Sequence, residues 1–262
     1  MAPFAARHKR AHAPWWLLAG AVLSLALAAC APPPPDLSLA TVQRAGTLRV
    51  GLDASFPPLE STAADGTFQG IDPSLARAVA RQLGVSVTFV AMASDGLHGA
   101  LVAGAVDAVI SSFIPVREWS RQLGYSQPYY DAGPVLAGTT ATAETGEIGV
   151  EAGGDGEAPA RSRWAGRLRT FDTSRAAVAA LVAGQVQAVV VDVPDLRLFA
   201  ADAPGLHALT PVLASVPYVV AVRGPHSKLL AAIDAALTTL RASGELAAIT
   251  APGPAPGPTP AP

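Results

Sequence analysis

The chain has one cysteine among 262 residues, so no intramolecular disulfide can staple it. Charge of one sign is also scarce: 18 basic and 20 acidic side chains leave a net charge of −2, without the basic footprint that nucleic acid requires. His98, His207 and His226 stand far apart, and His8 and His12 lie near the N-terminus, so no metal-ligand spacing is present. A Gly-x-Ser-x-Gly elbow and a phosphate-binding P-loop are missing too. These absences favour a binding protein over an enzyme, with no catalytic residue, metal or cofactor expected.

What is there begins with a basic segment, Arg7, His8, Lys9 and Arg10, followed by an apolar or small-residue stretch at 15–29. That stretch is short of the roughly 20 residues that a membrane span needs, and reads as a signal peptide. It ends in Leu27, Ala28, Ala29 and Cys30, which resembles the lipobox of bacterial lipoproteins. The resemblance implies a lipoprotein signal peptide at 1–29, acylation of Cys30, and an extracytoplasmic, membrane-anchored protein at the periplasm or cell surface. Prolines 32–35 favour polyproline II, so residues 30–44 are expected to form a semi-rigid tether. The Pro/Ala/Gly-rich tail at 251–262 is expected to be disordered.

Between them the chain repeats itself. Ala-Leu-Val-Ala-Gly at 100–104, with Val106, Ala108 and Val109, returns at 180–184 with Val186, Ala188 and Val189, an offset of 80 residues. Each copy reads as a helix end, a glycine stop (Gly104, Gly184) and a buried strand. The strands run into polar residues, Ser111 and Ser112 in one copy and Asp192 in the other. Open α/β sheets bind ligands at the carboxyl ends of their strands.

Other elements follow from local pattern. Residues 48–52 read as a strand, Asp72-Pro73 as a helix start with Asp72 at the cap, and 85–91 as a strand. In the second half, 148–151, 168–172 and 212–222 read as strands, Thr173 or Ser174 as a helix cap, and 227–240 as an amphipathic helix. The βαβ order in each half predicts an α/β class with mainly parallel sheets.

Several motifs stand in register: Gly-Thr-Leu-Arg-Val-Gly-Leu-Asp at 46–53, Phe-Pro-Pro at 56–58, Gly-Ile-Asp-Pro-Ser-Leu at 70–75, Val-Asp-Ala-Val at 106–109 and Tyr-Ser-Gln-Pro-Tyr-Tyr at 125–130. Together they resemble the extracytoplasmic solute-binding proteins of polar amino-acid ABC transporters (family 3). That resemblance implies an α/β, two-lobed, periplasmic-binding-protein-like fold (type II), with two mainly parallel sheets joined by two crossover strands. Lobe 1 would comprise 45–134 plus 214–250 and lobe 2 135–213, with crossovers near 133–136 and 209–214. The implied function is a monomeric, lipid-anchored receptor for a small polar solute, an amino acid or related amine, delivered to an ABC permease. A sensory or orphan binding module is the alternative, and a dehydratase on the same scaffold is a more distant one.

The resemblance also implies a ligand set. Asp53 and Phe56 follow the first strand, with Phe56 stacking on the ligand. Ser111, Ser112 and Phe113 offer backbone and hydroxyl groups. Asp192 receives an α-ammonium, and Glu151, Gly154 and Asp155 belong to a glycine-containing loop of lobe 2, with Thr173 counted beside them. The family's carboxylate-clamping Arg falls on Trp119, and its Thr on Val116. Neither side chain replaces a bidentate guanidinium. Either Arg117 (preferred for its place near the strand end) or Arg121 takes that role, or the acids and Phe56, Phe113 and Trp119 form a site for a cation.

Overall fold

The computed structural model describes residues 36, 38–140 and 145–251. The expected signal peptide at 1–29, Cys30, the proline run and the tail from 252 onward lie outside the described residues.

Lobe 1 opens with α1 (Ser38–Ala45), β1 (Thr47–Leu52) and the short antiparallel strands β2 (Ser55–Phe56), β3 (Glu60–Thr62) and β4 (Phe68–Gln69). It continues through α2 (Ile71–Gln82), β5 (Ser86–Ala91), α3 (Ser94–Ala103), β6 (Ala108–Val109) and β7 (Leu123–Tyr125). The chain leaves along β8 (Tyr130–Asp131) for lobe 2, made of β9 (Pro134–Gly138), β10 (Ile148–Glu151), α4 (Glu157–Trp164), β11 (Leu168–Phe171), α5 (Ser174–Val182), β12 (Ala188–Asp192), α6 (Val193–Leu198) and β13 (His207–Ala208). It returns along β14 (Pro217–Tyr218) to β15 (Ala221–Arg223), α7 (Lys228–Ala242) and α8 (Glu245–Thr250).

Each lobe holds one five-stranded sheet, ordered β5-β1-β6-β15-β7 in lobe 1 and β11-β10-β12-β9-β13 in lobe 2. The three βαβ strands of each are parallel, as the sequence predicts. In each sheet one strand, β15 in lobe 1 and β9 in lobe 2, runs opposite to the other four, so both sheets are mixed though mainly parallel. The reason is the connection: β9 and β15 are the strands by which the chain enters each sheet from the other lobe.

Period-two burial divides each sheet between two cores. In β12, Val189 and Val191 pack with Val178, Leu181 and Phe199 on one face, while Ala188 and Val190 pack with Leu136, Ile148 and Val150 on the other. In lobe 1, α2 and α7 cover one face through Leu75, Val79, Ile233 and Leu237. Leu97 and Leu101 of α3 cover the other. Each such side chain contributes about 1.5–3 kcal/mol by leaving water. Ser227 caps α7, its Oγ accepting from Leu230 N at 3.1 Å.

Both copies of the 80-residue repeat close as expected, on Gly104 (φ 74°) and Gly184 (φ 71°). Asp107 binds Arg49 through its backbone and guanidinium, and its repeat partner Gln187 accepts the Glu147 N–H at 2.8 Å, so an amide does the same tying work. Two local expectations need correction. α2 begins two residues earlier, at Ile71 with Gly70 at its cap, because Asp72 is drawn inside the lobe. Residues 212–222 do not form one strand: only β14 and β15 are regular, since this stretch has to change lobes.

The connecting strands β8 and β14 pair antiparallel. Asp131 ties them, its Oδ1 accepting from Val216 N at 2.9 Å and its Oδ2 from Ser215 Oγ at 2.8 Å. A Cβ at Gly133 would lie 1.9 Å from the Ala214 carbonyl oxygen, so only glycine lets the strands come this close. Away from this joint, Arg197 of α6 donates to the carbonyls of Ile249 and Ala251, fastening lobe 2 to the end of α8. Gly133→Ala is expected to destabilise the protein by about 2–4 kcal/mol, read as a drop in urea midpoint; an unchanged midpoint would refute the close-approach argument.

Candidate functional site

The lobe 1 wall stands where β1 and β6 end. The Asp53 N–H donates to Ser111 Oγ at 3.0 Å, and that hydroxyl donates in turn to Glu60 Oε1 at 2.6 Å. The Ser111 hydroxyl is therefore engaged inside the lobe, as a bracket between two chain segments. The Asp53 carboxylate accepts from Ser55 Oγ at 2.7 Å and from Ser94 N, the start of α3, at 3.0 Å. Ser112 donates both its N–H and its hydroxyl to Asp72 Oδ2, and Tyr129 donates to the other oxygen at 2.7 Å.

Two of these acids are fully enclosed. Burial, reinforced by Asp72, pushes Glu60 up to about 9, and the Ser111 hydrogen bond only partly offsets this. Burial likewise raises Asp72 to about 6 against the hydrogen bonds from Tyr129 and Ser112. Neither acid was foreseen as part of the site. Asp72 follows a cap-like local pattern, and Glu60 follows a proline pair, with nothing local to mark its burial.

The aromatic candidates divide. Phe56 is 49% exposed, free to meet a ligand. Trp119 instead stacks on His98, ring centroids 4.0 Å apart, and packs with Phe113 against the Leu97 and Leu101 core. Arg117 opens a short 3-10 turn (Arg117–Trp119) and is exposed, as is Arg121. Ile114, which no motif marks, is 48% exposed just beyond Phe113.

The lobe 2 wall is acidic. A cavity of about 40 Å³ is lined by Glu151, Gly154, Asp155, Ser174 and Asp192 among others. Glu151 Oε2 accepts from Ser174 N at 2.8 Å and from its hydroxyl at 2.7 Å, capping α5 as Asp53 caps α3. Thr173 is exposed and also serves this helix, its side chain accepting from Ala176 N at 3.1 Å. Asp192 sits at the cap position of α6 without using its carboxylate there. Burial, then Asp195, Asp155 and Glu151, raise Asp192 to about 6. Asp195, which the sequence reading missed, rises to about 6 through burial, opposed by a backbone hydrogen bond from Asp192.

Tyr218 on the connecting strand β14 feels both walls: burial raises it to about 12, helped by Asp72 of lobe 1 and by Asp192 and Asp155 of lobe 2. The strand ends of the two lobes thus share one electrostatic neighbourhood.

Residues 48–252 match the model of the bacterial extracellular solute-binding proteins, family 3. The chain belongs to this family. Among family 3 relatives, the "L-arginine-binding protein" of Pseudomonas aeruginosa is 29% identical over 80% of this chain and 88% of its own. The "ABC transporter arginine-binding protein 1" of Escherichia coli is 27% identical over 75% of this chain and 86% of its own. The Escherichia coli "L-cystine-binding protein TcyJ" is 27% identical, covering 80% and 83%. A solved "Ancestral Cationic Amino Acid Solute Binding Protein (AncCDT-1)" superposes with a TM-score of 0.65 at 27% identity, covering 81% of this chain and 97% of that one. The two-lobed α/β fold of this chain is that of the type II periplasmic binding proteins.

A carboxyl held at about 6 keeps a proton that the unfolded chain has already released above pH 4. The folded state then binds more protons than the unfolded one, so stability falls as pH rises. For Asp72, Asp192 and Asp195 the fall lies between about pH 4 and 6, and Glu60 extends it toward 9. The thermal midpoint of the ligand-free protein is expected to decline from pH 4.5 to 7. Scanning calorimetry would contradict this with a midpoint that climbs across the same window.

Proposed function

We propose that this family 3 protein is an extracytoplasmic receptor that captures a small cationic amino acid such as arginine, or a related amine, between its lobes and delivers it to an ABC permease. The observation that carries the reading is the uncompensated acid of the lobe 2 wall. Asp192, Asp155 and Glu151 line one cavity, and among the described residues none of them is in an ion pair. A half-buried carboxylate facing other carboxylates is costly until a cation joins it. The ligand's ammonium group supplies that cation at Asp192, and Phe56 covers it from lobe 1. The relatives named for arginine and cystine support an amino acid.

With Trp119 engaged on His98, the exposed guanidinium of Arg117 is the group that takes an α-carboxylate. Closure follows as a population shift, because the bound ligand touches both walls only when they approach. Acylated Cys30 holds the receptor at the membrane, and Cys30→Ala is expected to move it from the detergent phase to the aqueous phase on partition; continued detergent partitioning would refute the anchor.

Calorimetric titration with arginine, and with agmatine as arginine without its carboxylate, tests the site. Asp192→Asn is expected to weaken both ligands about tenfold or more, and Arg117→Ala to weaken arginine alone. Affinity should also rise from pH 5 to 7, because Asp192 must lose its proton to pair with an ammonium group. A parent protein silent to both ligands, or an Asp192→Asn protein binding as the parent does, would count against the proposal.

A further inference from the structure

Ser112 is the one non-glycine residue with positive φ among the described residues, at 48°. A side chain there crowds its own backbone, so the conformation persists only where its surroundings over-determine it. Here they do. Asp72 Oδ2 accepts the Ser112 N–H at 2.6 Å and its hydroxyl at 3.2 Å, while Tyr129 holds the other carboxylate oxygen at 2.7 Å.

Asp72 cannot follow Ser112 if the latter relaxes. It is 0% exposed, its own N–H donates to the Leu59 carbonyl at 3.0 Å, and the turn before it passes so close to Leu59 that a Cβ on Gly70 would lie 2.3 Å from the same oxygen. The arrangement is private to lobe 1. Eighty residues on, the repeat places Asp192, with an ordinary φ of −71°. The residues flanking Ser112 are pinned too, Ser111 by Asp53 and Glu60 and the Phe113 carbonyl by the Val219 N–H at 2.9 Å.

We propose that Asp72 is a positioning residue for ligand binding: by holding Ser112 in the left-handed conformation it turns residues 112–114 out of the sheet and presents their backbone and Ile114 to the ligand. The proposal rests on the receptor reading above, and it differs from a plain buried acid in one respect. A residue that needs no help to adopt positive φ should make Asp72 dispensable.

The full chain is titrated with arginine as the probe. Asp72→Asn, which keeps an acceptor for Ser112, is expected to bind within about threefold of the parent, and Asp72→Ala about tenfold or more weaker. Adding Ser112→Gly to Asp72→Ala should restore most of the loss, since glycine takes this φ freely. Ser112→Thr keeps the hydroxyl but adds a β-branch that resists positive φ, and should weaken binding about tenfold relative to the parent. A double variant no tighter than Asp72→Ala, or a Thr variant equal to the parent, overturns the proposal. Should Asp72→Ala fail to fold, the Ser112→Thr variant decides. If the parent does not bind arginine, the receptor reading fails separately, and amide hydrogen exchange on the ligand-free chain decides instead. The residue 112 amide should exchange about tenfold faster in Ser112→Thr than in the parent, and equal rates would overturn the proposal.

Discussion

The approach of Gly133 to the Ala214 carbonyl holds the two connecting strands together, and both walls of the cleft hang from that joint. Asp131 reinforces it with hydrogen bonds to Val216 and Ser215. Everything the site can do depends on strand ends in two separate sheets meeting across this narrow link. Tyr218 lies on the link and feels Asp72 from one side and Asp192 from the other, so the joint and the site are one neighbourhood.

The repeat explains how two lobes reach the same arrangement. In each, a carboxylate at the end of the first βαβ strand takes the N–H that starts the helix after the second strand: Asp53 to Ser94, Glu151 to Ser174. Anionic oxygen at a helix N-terminus satisfies orphan donors and suits the helix dipole. With those two acids partly occupied, the differences between the copies carry the chemistry. Where lobe 1 has Ser112 bent back onto Asp72, lobe 2 has Asp192 unbound and facing other acids.

Much of this was legible in the sequence because it depends on local pattern. The glycine stops, the α5 cap at Thr173, the buried strand β12 and the 80-residue offset each need only local pattern. Partners distant in sequence were not legible. Asp72 satisfies the pattern of a helix cap, yet Ser112 and Tyr129, 40 and 57 residues away, claim its side chain. Trp119 reads as an aromatic near a ligand, and only the fold shows His98 beneath it. Periodicity tells which face is buried; it does not tell which hydroxyl meets which carboxylate.

The contact of Arg197 with the carbonyls of Ile249 and Ala251 gives the end of α8 a place in both lobes. Residue 251 is thus a natural attachment point for a fluorescent reporter. A dye fixed there is coupled to lobe 1 through the chain and to lobe 2 through a guanidinium, so any change in their angle alters its surroundings. The same contact marks where shortening begins to cost, since a chain trimmed short of 251 would leave a half-buried arginine with one of its two carbonyl acceptors gone.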